Sequence, residues 1–187
     1  MCHVSCIVFG VKYLSPGDVQ GKDIIEVGSY DFNGSLRSII ELWNPRTYIG
    51  VDIVAGPGVD LICNAENLME KFQNNSFDIV ISTELLEHVK DFRKVISNLK
   101  NICKPDGLII ITTRSEGFGY HGFPFDFWRY SLDDMSFLFS DFLIEKLESD
   151  NEIPGVFLKA RKPLDFNEKD ISGLSLFSAL RCLVWIV

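Results

Sequence analysis

Short apolar runs alternate with amphipathic stretches along residues 23–113. Short runs of this kind are typical of buried strands, and apolar residues spaced three and four apart are typical of helices packed on them. The pattern predicts strands at 23–28, 47–53, 59–64, 76–82 and 108–113. It predicts helices at 34–43, 65–72 and 85–102, the last with apolar residues recurring from Leu85 to Ile102.

The order of the elements predicts the fold class. The continuous apolar run at 108–113 is typical of a strand buried on both faces, as in a parallel sheet. A helix is expected at 131–141 with Ser131 as its cap, followed by strands at 142–149 and 155–161. The chain therefore predicts an α/β fold, a Rossmann-like doubly wound sheet of seven mostly parallel strands that ends in an antiparallel hairpin.

The predicted elements divide the chain into three segments. Residues 1–22 contain Pro16, Gly17 and Gly21 and are expected to be an irregular lead-in that packs on the domain at 23–162. Residues 163–187 form an apolar tail that we expect to be helical. Its end, 171–187, carries only Arg181 as a charge and is short for a membrane span. We expect the tail to pack on the domain or to join two copies in a homodimer, rather than to anchor the protein on a membrane surface.

Composition and charge narrow the function. The 187 residues, 47% of them hydrophobic, suit one domain with a substantial core. The net charge of −8 disfavours binding to long nucleic acids. The five cysteines are an odd number and no signal peptide precedes them, so we expect reduced thiols in the cytoplasm.

Polar residues stand where the predicted parallel strands end. Ligands of open α/β sheets bind at the carboxyl ends of the strands. The residues there are Glu26, Gly28 and Ser29 after the first strand, Asp52 after the second, Asn64, Ala65 and Glu66 after the third, Ser82, Thr83 and Glu84 after the fourth, and Thr113 and Arg114 after the fifth. Asp52 is the most informative, because a carboxylate at this tip can accept hydrogen bonds from both hydroxyls of a ribose.

Two cofactor classes use such a carboxylate. Nicotinamide enzymes place a pyrophosphate over G-x-G-x-x-G, whereas the chain from Gly28 reads GSYDFN and lacks the later glycines. S-adenosylmethionine carries an ammonium and a sulfonium and no phosphate. The carboxylate of Glu26 inside the first strand suits this positive ligand, since it anchors the turn and makes the site negative.

Five stretches carry a family resemblance: EVGSYDFNG, YIGVDI, VDLICNAENL, FDIVISTELLEHV and LKNICKPDGLIIITT. In this order, over residues 22–162, the chain resembles the class I S-adenosylmethionine-dependent methyltransferases, particularly those related to ubiquinone-biosynthesis enzymes. Tyr30 and Phe32 replace the family's later glycines, and Asn64 stands where an aspartate often contacts the adenine amine. The resemblance implies S-adenosylmethionine as cofactor, held by Glu26, Gly28, Ser29, Tyr30, Asp52, Ile53, Asn64, Ala65, Glu66, Thr83 and Glu84.

The acceptor side is expected at SEGFGYHGFPFDFWRYS, residues 115–131, because this segment follows the fifth strand. It reads as a hydrophobic lid held by a pair between Asp126 and Arg129, which are close enough to pair in a helix. A sharper interpretation makes His121 a base or a hydrogen-bonding group for the acceptor, with Tyr120 and Trp128 shaping the pocket.

A second catalytic candidate is His88. It follows Glu84 and Glu87, and carboxylates beside a histidine favour its protonated form, which is a poorer base. Its alternative role is capping or packing.

No metal site is predicted. Cys2, His3 and Cys6 offer three ligands, whereas a closed zinc site needs four.

The function that follows is methyl transfer from S-adenosylmethionine to a small-molecule acceptor. One alternative is a partner subunit that binds S-adenosylmethionine without catalysis. The other is an NAD-dependent oxidoreductase.

Overall fold

Seven strands lie where strands were predicted, although the one predicted at 108–113 begins five residues before its predicted start, and the strands at Trp128–Arg129 and Phe177–Ser178 were not predicted. The structure is a computed structural model that describes residues 3–122 and 124–180. Its strands are β1 Asp23–Val27, β2 Thr47–Asp52, β3 Leu61–Ile62, β4 Phe77–Thr83, β5 Cys103–Arg114, β6 Trp128–Arg129, β7 Leu143–Ser149, β8 Gly155–Arg161 and β9 Phe177–Ser178.

Seven of these strands form one sheet in the order β3-β2-β1-β4-β5-β8-β7. The pairs from β3 to β5 are parallel, and β8 is antiparallel to both β5 and β7. The predicted fold class is therefore confirmed. The strand order reverses between β1 and β4, and at such a point the loops that follow the two strands diverge and leave a crevice at their carboxyl ends.

The helices cover both faces of the sheet. They are α1 Val4–Tyr13, α2 Pro16–Val19, α3 Arg37–Ile40, α4 Phe92–Ile102 and α5 Leu132–Leu138, with 3₁₀ turns at Glu41–Trp43, Ala65–Glu70 and Leu86–His88. One apolar core joins α4 and α5 to the sheet, and a second joins α1 and α3 to its other face. Ser131 caps α5 as predicted, in a reciprocal capping box with Asp134.

The expectation of an irregular lead-in is wrong for most of residues 1–22, because Val4–Tyr13 form α1. The helix buries Cys6 and Phe9 in the second core, and the Phe9 ring lies 5.1 Å from that of Phe157. Gly10 allows close packing, since a Cβ there would come within 2.5 Å of the Leu36 side chain. The lead-in is thus part of the core rather than a covering loop.

The predicted helix at 85–102 is also wrong in its first part. It divides into the 3₁₀ turn at Leu86–His88 and α4, which begins after Asp91. Two local interactions explain the break. Asp91 caps α4 by accepting a hydrogen bond from the amide of Lys94, and the carbonyl of Val89, in extended backbone, accepts one from the Trp128 indole. The predicted helices at 34–43 and 65–72 are likewise shorter, as α3 with its 3₁₀ turn and as a 3₁₀ turn alone.

The tail is not the predicted helix where the structure describes it. Residues 177 and 178 form β9, which pairs antiparallel with β6. Arg93 donates hydrogen bonds to the carbonyls of Ile171 and Leu174, so α4 holds the preceding segment. Residues 181–187 lie outside the described part, so the predicted self-association is untested. Among the described helices, none has the length and apolar character needed to cross a membrane.

A buried ion pair joins α4 to the connection between α5 and β7. Lys100 is 0% exposed, and its ammonium donates to the carboxylate of Asp141 and to the carbonyl of Leu138, each at 2.7 Å. Removing one member of such a pair leaves a buried charge without compensation, which is costly.

Replacing this lysine should therefore destabilise the fold. We expect Lys100→Met to lower the free energy of unfolding by about 3–5 kcal/mol, since Asp141 would lose its cationic partner. Lys94→Met, on the exposed side of the same helix, is the matched control and should change stability by less than about 0.5 kcal/mol. Urea unfolding of both variants measures the difference, and equal losses would contradict this role for Lys100.

Candidate functional site

The turn after β1 brings the backbone close to the end of β4. Gly28 has a φ of +86°, and a Cβ there would approach the Leu85 side chain to 3.0 Å. The amides of Gly28 and Ser29 both donate to the carbonyl of Val51 in β2. A glycine is needed here for its positive φ and for the close approach, which leaves the turn bare at the crevice.

The loop at 55–60 makes room for the side chain of Tyr30, which stands in the turn after β1 in place of a glycine. The amide of Asp31 donates to the carbonyl of Pro57 at 2.8 Å. The Tyr30 ring lies over Gly56, where a Cβ would come within 2.1 Å of it. Sequence analysis missed this contact, although the AGPGV stretch signals a loop that can accept a close neighbour. Tyr30 is thus accommodated because Gly56 has no side chain.

Asp52 lies at the carboxyl end of β2, as predicted. Its Oδ2 accepts a hydrogen bond from the amide of Tyr30 at 3.1 Å, and its Oδ1 accepts one from the amide of Val54 at 3.4 Å. The side chain is partly exposed, and Ile53 next to it is 52% exposed. The carboxylate is therefore fixed beside the β1 turn and still accessible at its edge.

Glu26 is buried under the turn rather than exposed in the crevice. It is 2% exposed and accepts hydrogen bonds from Tyr48 at 2.8 Å and from Ser35 at 3.2 Å. Burial raises the pKa of Glu26 to about 7, although the bonds from Tyr48 and Ser35 favour the ionised form. Glu26 thus ties the far end of the turn to β2. Its predicted contact with the cofactor remains a prediction.

The residues after β3 form a capped 3₁₀ turn. Asn64 accepts a hydrogen bond from the amide of Glu66 at 2.9 Å, and Glu66 accepts one from the amide of Asp91 at 3.1 Å. Ala65 is buried, and its carbonyl accepts from Asn98 of α4. These bonds hold the segment against α4 and leave the second lone pair of the Asn64 oxygen available.

The end of β4 carries a buried charged network. Thr83 and Glu84 are buried, and Glu84 has a φ of +53°. Its carboxylate pairs with Arg114 of β5, whose guanidinium also lies 3.6 Å from Asp150. Burial and the neighbouring carboxylate of Glu87 raise the pKa of Glu84, and the guanidinium opposes that rise. Arg114, to which sequence analysis gave no role, therefore stabilises the ends of β4 and β5.

The charges at the β1 turn fit a cation better than a diphosphate. Asp31 accepts a hydrogen bond from the amide of Gly34 at 2.8 Å, so a carboxylate lies in the segment between the β1 turn and α3, where a pyrophosphate-binding chain would have glycines. Glu26 lies below the same turn. The Asp31 carboxylate would repel a diphosphate and attract an ammonium or sulfonium, which is the charge of S-adenosylmethionine. Glu26 adds less to this effect, because burial raises its pKa to about 7.

A bidentate ion pair holds the lid, as predicted, although the segment is not helical. Arg129 in β6 donates to both oxygens of the buried Asp126 at 2.5 and 2.6 Å. It also donates to the carbonyls of Phe118 and Gly119. Burial raises the pKa of Asp126, but the hydrogen bonds from Arg129 and His121 outweigh it and hold that pKa below its usual range.

Two histidines meet below this lid. His121 is hydrogen-bonded through Nδ1 to Asp126 at 3.0 Å, and His88 through Nδ1 to the carbonyl of Phe125 at 2.6 Å. Their ring centroids are 4.7 Å apart. Both Nε2 atoms lie 3.9 Å from Oε1 of Glu87, which is fully buried. The fold thus joins the two predicted candidates and adds Glu87, which the spacing ELLEH could have indicated.

Tyr120 and Trp128 have different surroundings. Tyr120 is 41% exposed. Together with Arg129 and the rest of residues 116–120 it lines a cavity of about 460 Å³. The Trp128 indole instead packs edge-on against Phe92 in the first core and donates to Val89. Trp128 fixes the lid to α4 and does not line this cavity.

Known proteins resemble the chain in sequence and in fold. Residues 9–148 match a family described as methyltransferase domain. Phosphoethanolamine N-methyltransferase 2 of Caenorhabditis elegans is 25% identical over 60% of this chain and 31% of its own length. Demethylmenaquinone methyltransferase of Bacillus licheniformis is 26% identical over 70% of this chain and 54% of its own length. The chain thus spans about a third to a half of these relatives.

The fold comparison agrees. The crystal structure of Burkholderia thailandensis 1,6-didemethyltoxoflavin-N1-methyltransferase, with 1,6-didemethyltoxoflavin and S-adenosylhomocysteine bound, superposes with a TM-score of 0.64. The match has 12% sequence identity and covers 86% of this chain and 77% of that one. At this identity the likeness concerns the fold alone.

The buried carboxyl of Glu26 predicts a pH-dependent stability. The folded protein holds its proton up to about pH 7, whereas the unfolded chain loses it near 4.5, so stability falls as pH rises through this window. Glu26→Gln keeps a neutral hydrogen-bonding group. We expect the free energy of unfolding of this variant to match that of the natural protein near pH 4 and to exceed it by about 3 kcal/mol above pH 7.

Denaturant unfolding across this pH range measures the effect. Glu70→Gln, at an exposed position, controls for the loss of one carboxylate. Parallel stability curves for Glu26→Gln and the natural protein would contradict the raised pKa.

Proposed function

The chain belongs to the methyltransferase domain family, and from this premise we propose that it transfers a methyl group from S-adenosylmethionine to a small-molecule acceptor. The observation that carries the proposal is the position of Asp52. Its carboxylate lies at the end of β2, is fixed by the Tyr30 amide, and stands beside the crevice between β1 and β4. A carboxylate there suits the two hydroxyls of a ribose.

The proposed cofactor contacts follow the strand ends. Gly28, Ser29 and Tyr30 would offer backbone to the methionine part, with Glu26 supporting their turn from below. Ile53, exposed beside Asp52, offers an apolar face to the adenine. Asn64, Ala65 and Glu66 would border the adenine on the side of β3, and Thr83 and Glu84 would close the crevice at β4.

The proposed mechanism needs little chemistry from the protein. Bound S-adenosylmethionine would supply an electrophilic methyl group. The strand ends would align that methyl with the acceptor, and the lid would exclude water. A hydroxyl acceptor must also lose a proton. His121 is the candidate base, because Asp126 accepts the hydrogen of its Nδ1 and leaves the lone pair on Nε2, which lies 3.9 Å from Oε1 of Glu87. Its predicted role as a base is part of this proposal, and His88 is second to it.

A small acceptor is supported by two observations. The relatives are named for phosphoethanolamine and demethylmenaquinone, and the structural neighbour holds 1,6-didemethyltoxoflavin. The open cavity beside Tyr120 and Arg129, of about 460 Å³, lies within the range of small-molecule sites, and neither histidine lines it.

The alternatives differ in what they predict for binding. A partner subunit without catalysis would bind the cofactor and turn over no acceptor. An NAD-dependent oxidoreductase would bind NADH, which the carboxylates at the β1 turn disfavour.

Cofactor binding tests the proposal directly. We expect calorimetry to show binding of S-adenosylhomocysteine and none of NADH. Asp52→Ala should weaken the binding of S-adenosylhomocysteine by about 1–3 kcal/mol, the range for lost hydrogen bonds to a charged group.

Asp165→Ala is the matched control, since it removes an exposed aspartate after β8, at the opposite edge of the sheet from the strand ends. It should leave affinity unchanged. Binding of NADH alone, or equal affinity of the Asp52 variant and the natural protein, would overturn the proposed cofactor site.

A further inference from the structure

We propose that Glu87, His88 and His121 bind a divalent transition-metal ion. The three residues each offer a ligand atom, and these atoms all lie within 4.8 Å of one another. The cluster lies where the end of β4 meets the lid. It is separate from the N-terminal Cys2, His3 and Cys6, for which the sequence predicts no metal.

Both imidazoles are oriented with a lone pair toward the gap. His121 Nδ1 lies 3.0 Å from the Asp126 carboxylate, and His88 Nδ1 lies 2.6 Å from the carbonyl of Phe125. Neither partner can donate a hydrogen, so each Nδ1 carries the proton and, in the neutral ring, each Nε2 is left as the electron-pair donor. Metal-binding histidines are fixed in this way by acceptors on the other nitrogen.

The third group is a buried carboxylate oxygen without a donor. Glu87 is 0% exposed, and its Oε2 accepts from Thr113 at 2.9 Å. Its Oε1 has no hydrogen-bond partner within residues 3–122 and 124–180. A buried oxygen of this kind is costly to leave unsatisfied, so it indicates a cation or donor that binds there.

The distances suit a metal ion better than hydrogen bonds. Oε1 lies 3.9 Å from each Nε2, which is too long for a hydrogen bond. Ligands bound at about 2.0–2.1 Å with tetrahedral angles lie about 3.4 Å apart. The two Glu87–histidine distances therefore need to contract by about 0.5 Å, and the widest separation in the cluster, within 4.8 Å, by up to about 1.4 Å.

The donor set favours first-row transition metals. Two imidazole nitrogens and one carboxylate oxygen suit Zn²⁺, Mn²⁺, Fe²⁺ or Co²⁺, whereas Mg²⁺ and Ca²⁺ prefer oxygen alone. The positive charge of Arg129 would not oppose a metal ion, because it is balanced by the bidentate pair with Asp126.

Solvent can reach the cluster. The histidine side chains are 14% and 19% exposed. Three protein ligands leave coordination positions open. If the proposed function holds, an acceptor hydroxyl could bind there and become more acidic, and the ion would then occupy the Nε2 lone pair that His121 otherwise offers as a base.

Cobalt titration of the full chain, first treated with a chelator, tests the site. We expect saturable one-to-one binding by calorimetry, with weak visible bands and no thiolate-to-metal charge-transfer band. His121→Ala removes one of the three ligands, so it should weaken binding by more than the roughly 10–100-fold that loss of an outer-shell partner costs. His88→Ala, on a different element, gives a second test if the first variant does not fold. Circular dichroism checks folding.

His3→Ala is the control for an N-terminal site and should bind cobalt as the natural protein does. Retained binding in both folded variants, loss in His3→Ala, a thiolate band, or no binding at all would overturn the inference. S-adenosylhomocysteine titration of the same samples separates the two proposals. Cofactor binding without cobalt binding removes only the metal site, and cobalt binding without cofactor binding removes only the proposed function.

Discussion

The structure depends on how it stabilises the carboxylates gathered at one edge of a parallel sheet. Parallel pairing of β1, β2 and β4 brings Glu26, Asp52 and Glu84 to the same end. Burying a carboxylate is costly unless it is paired or hydrogen-bonded. Each one has its own solution: Glu26 receives hydroxyl groups, Asp52 receives amides and keeps partial exposure, and Glu84 pairs with a guanidinium. The edge therefore holds its carboxyl groups without unfolding, and the partly exposed carboxylate of Asp52 is the one placed to meet a ligand.

The lid also depends on a buried carboxylate that is paired, and it links the proposed acceptor side to the core. Asp126 is shared between Arg129 and His121, so one buried carboxylate orients both the lid and an imidazole. The short sheet of β6 and β9 and the Trp128 indole attach the segment to α4 and to the tail. A change in the lid would consequently move His121 as well. This coupling explains why a strongly aromatic segment can hold a polar group in a fixed direction.

The sequence predicted the sheet well, because buried parallel strands are continuous apolar runs and their order follows from topology rules. The helices were predicted less well, since capping by Asp91 and the Trp128 hydrogen bond overrode the apolar spacing at 85–102. Asp52 was identifiable from its position at a strand end. The sequence offered only a spacing, ELLEH, for Glu87 and a glycine-rich loop for Gly56, because their roles depend on contacts with the distant residues Thr113 and Tyr30. Local patterns do not contain those contacts.

Glu87 differs from the other carboxylates of this edge in an informative way. Its Oε2 has a donor in Thr113, whereas its Oε1 faces two imidazoles that are both oriented by acceptors on their far nitrogens. Water or protonated imidazoles could satisfy such an oxygen, but protonated rings would have to move closer to bond to it. A metal ion satisfies the oxygen and both nitrogens together. The arrangement that completes the electrostatics of the edge is therefore also the one that places a Lewis acid beside the proposed methyl acceptor.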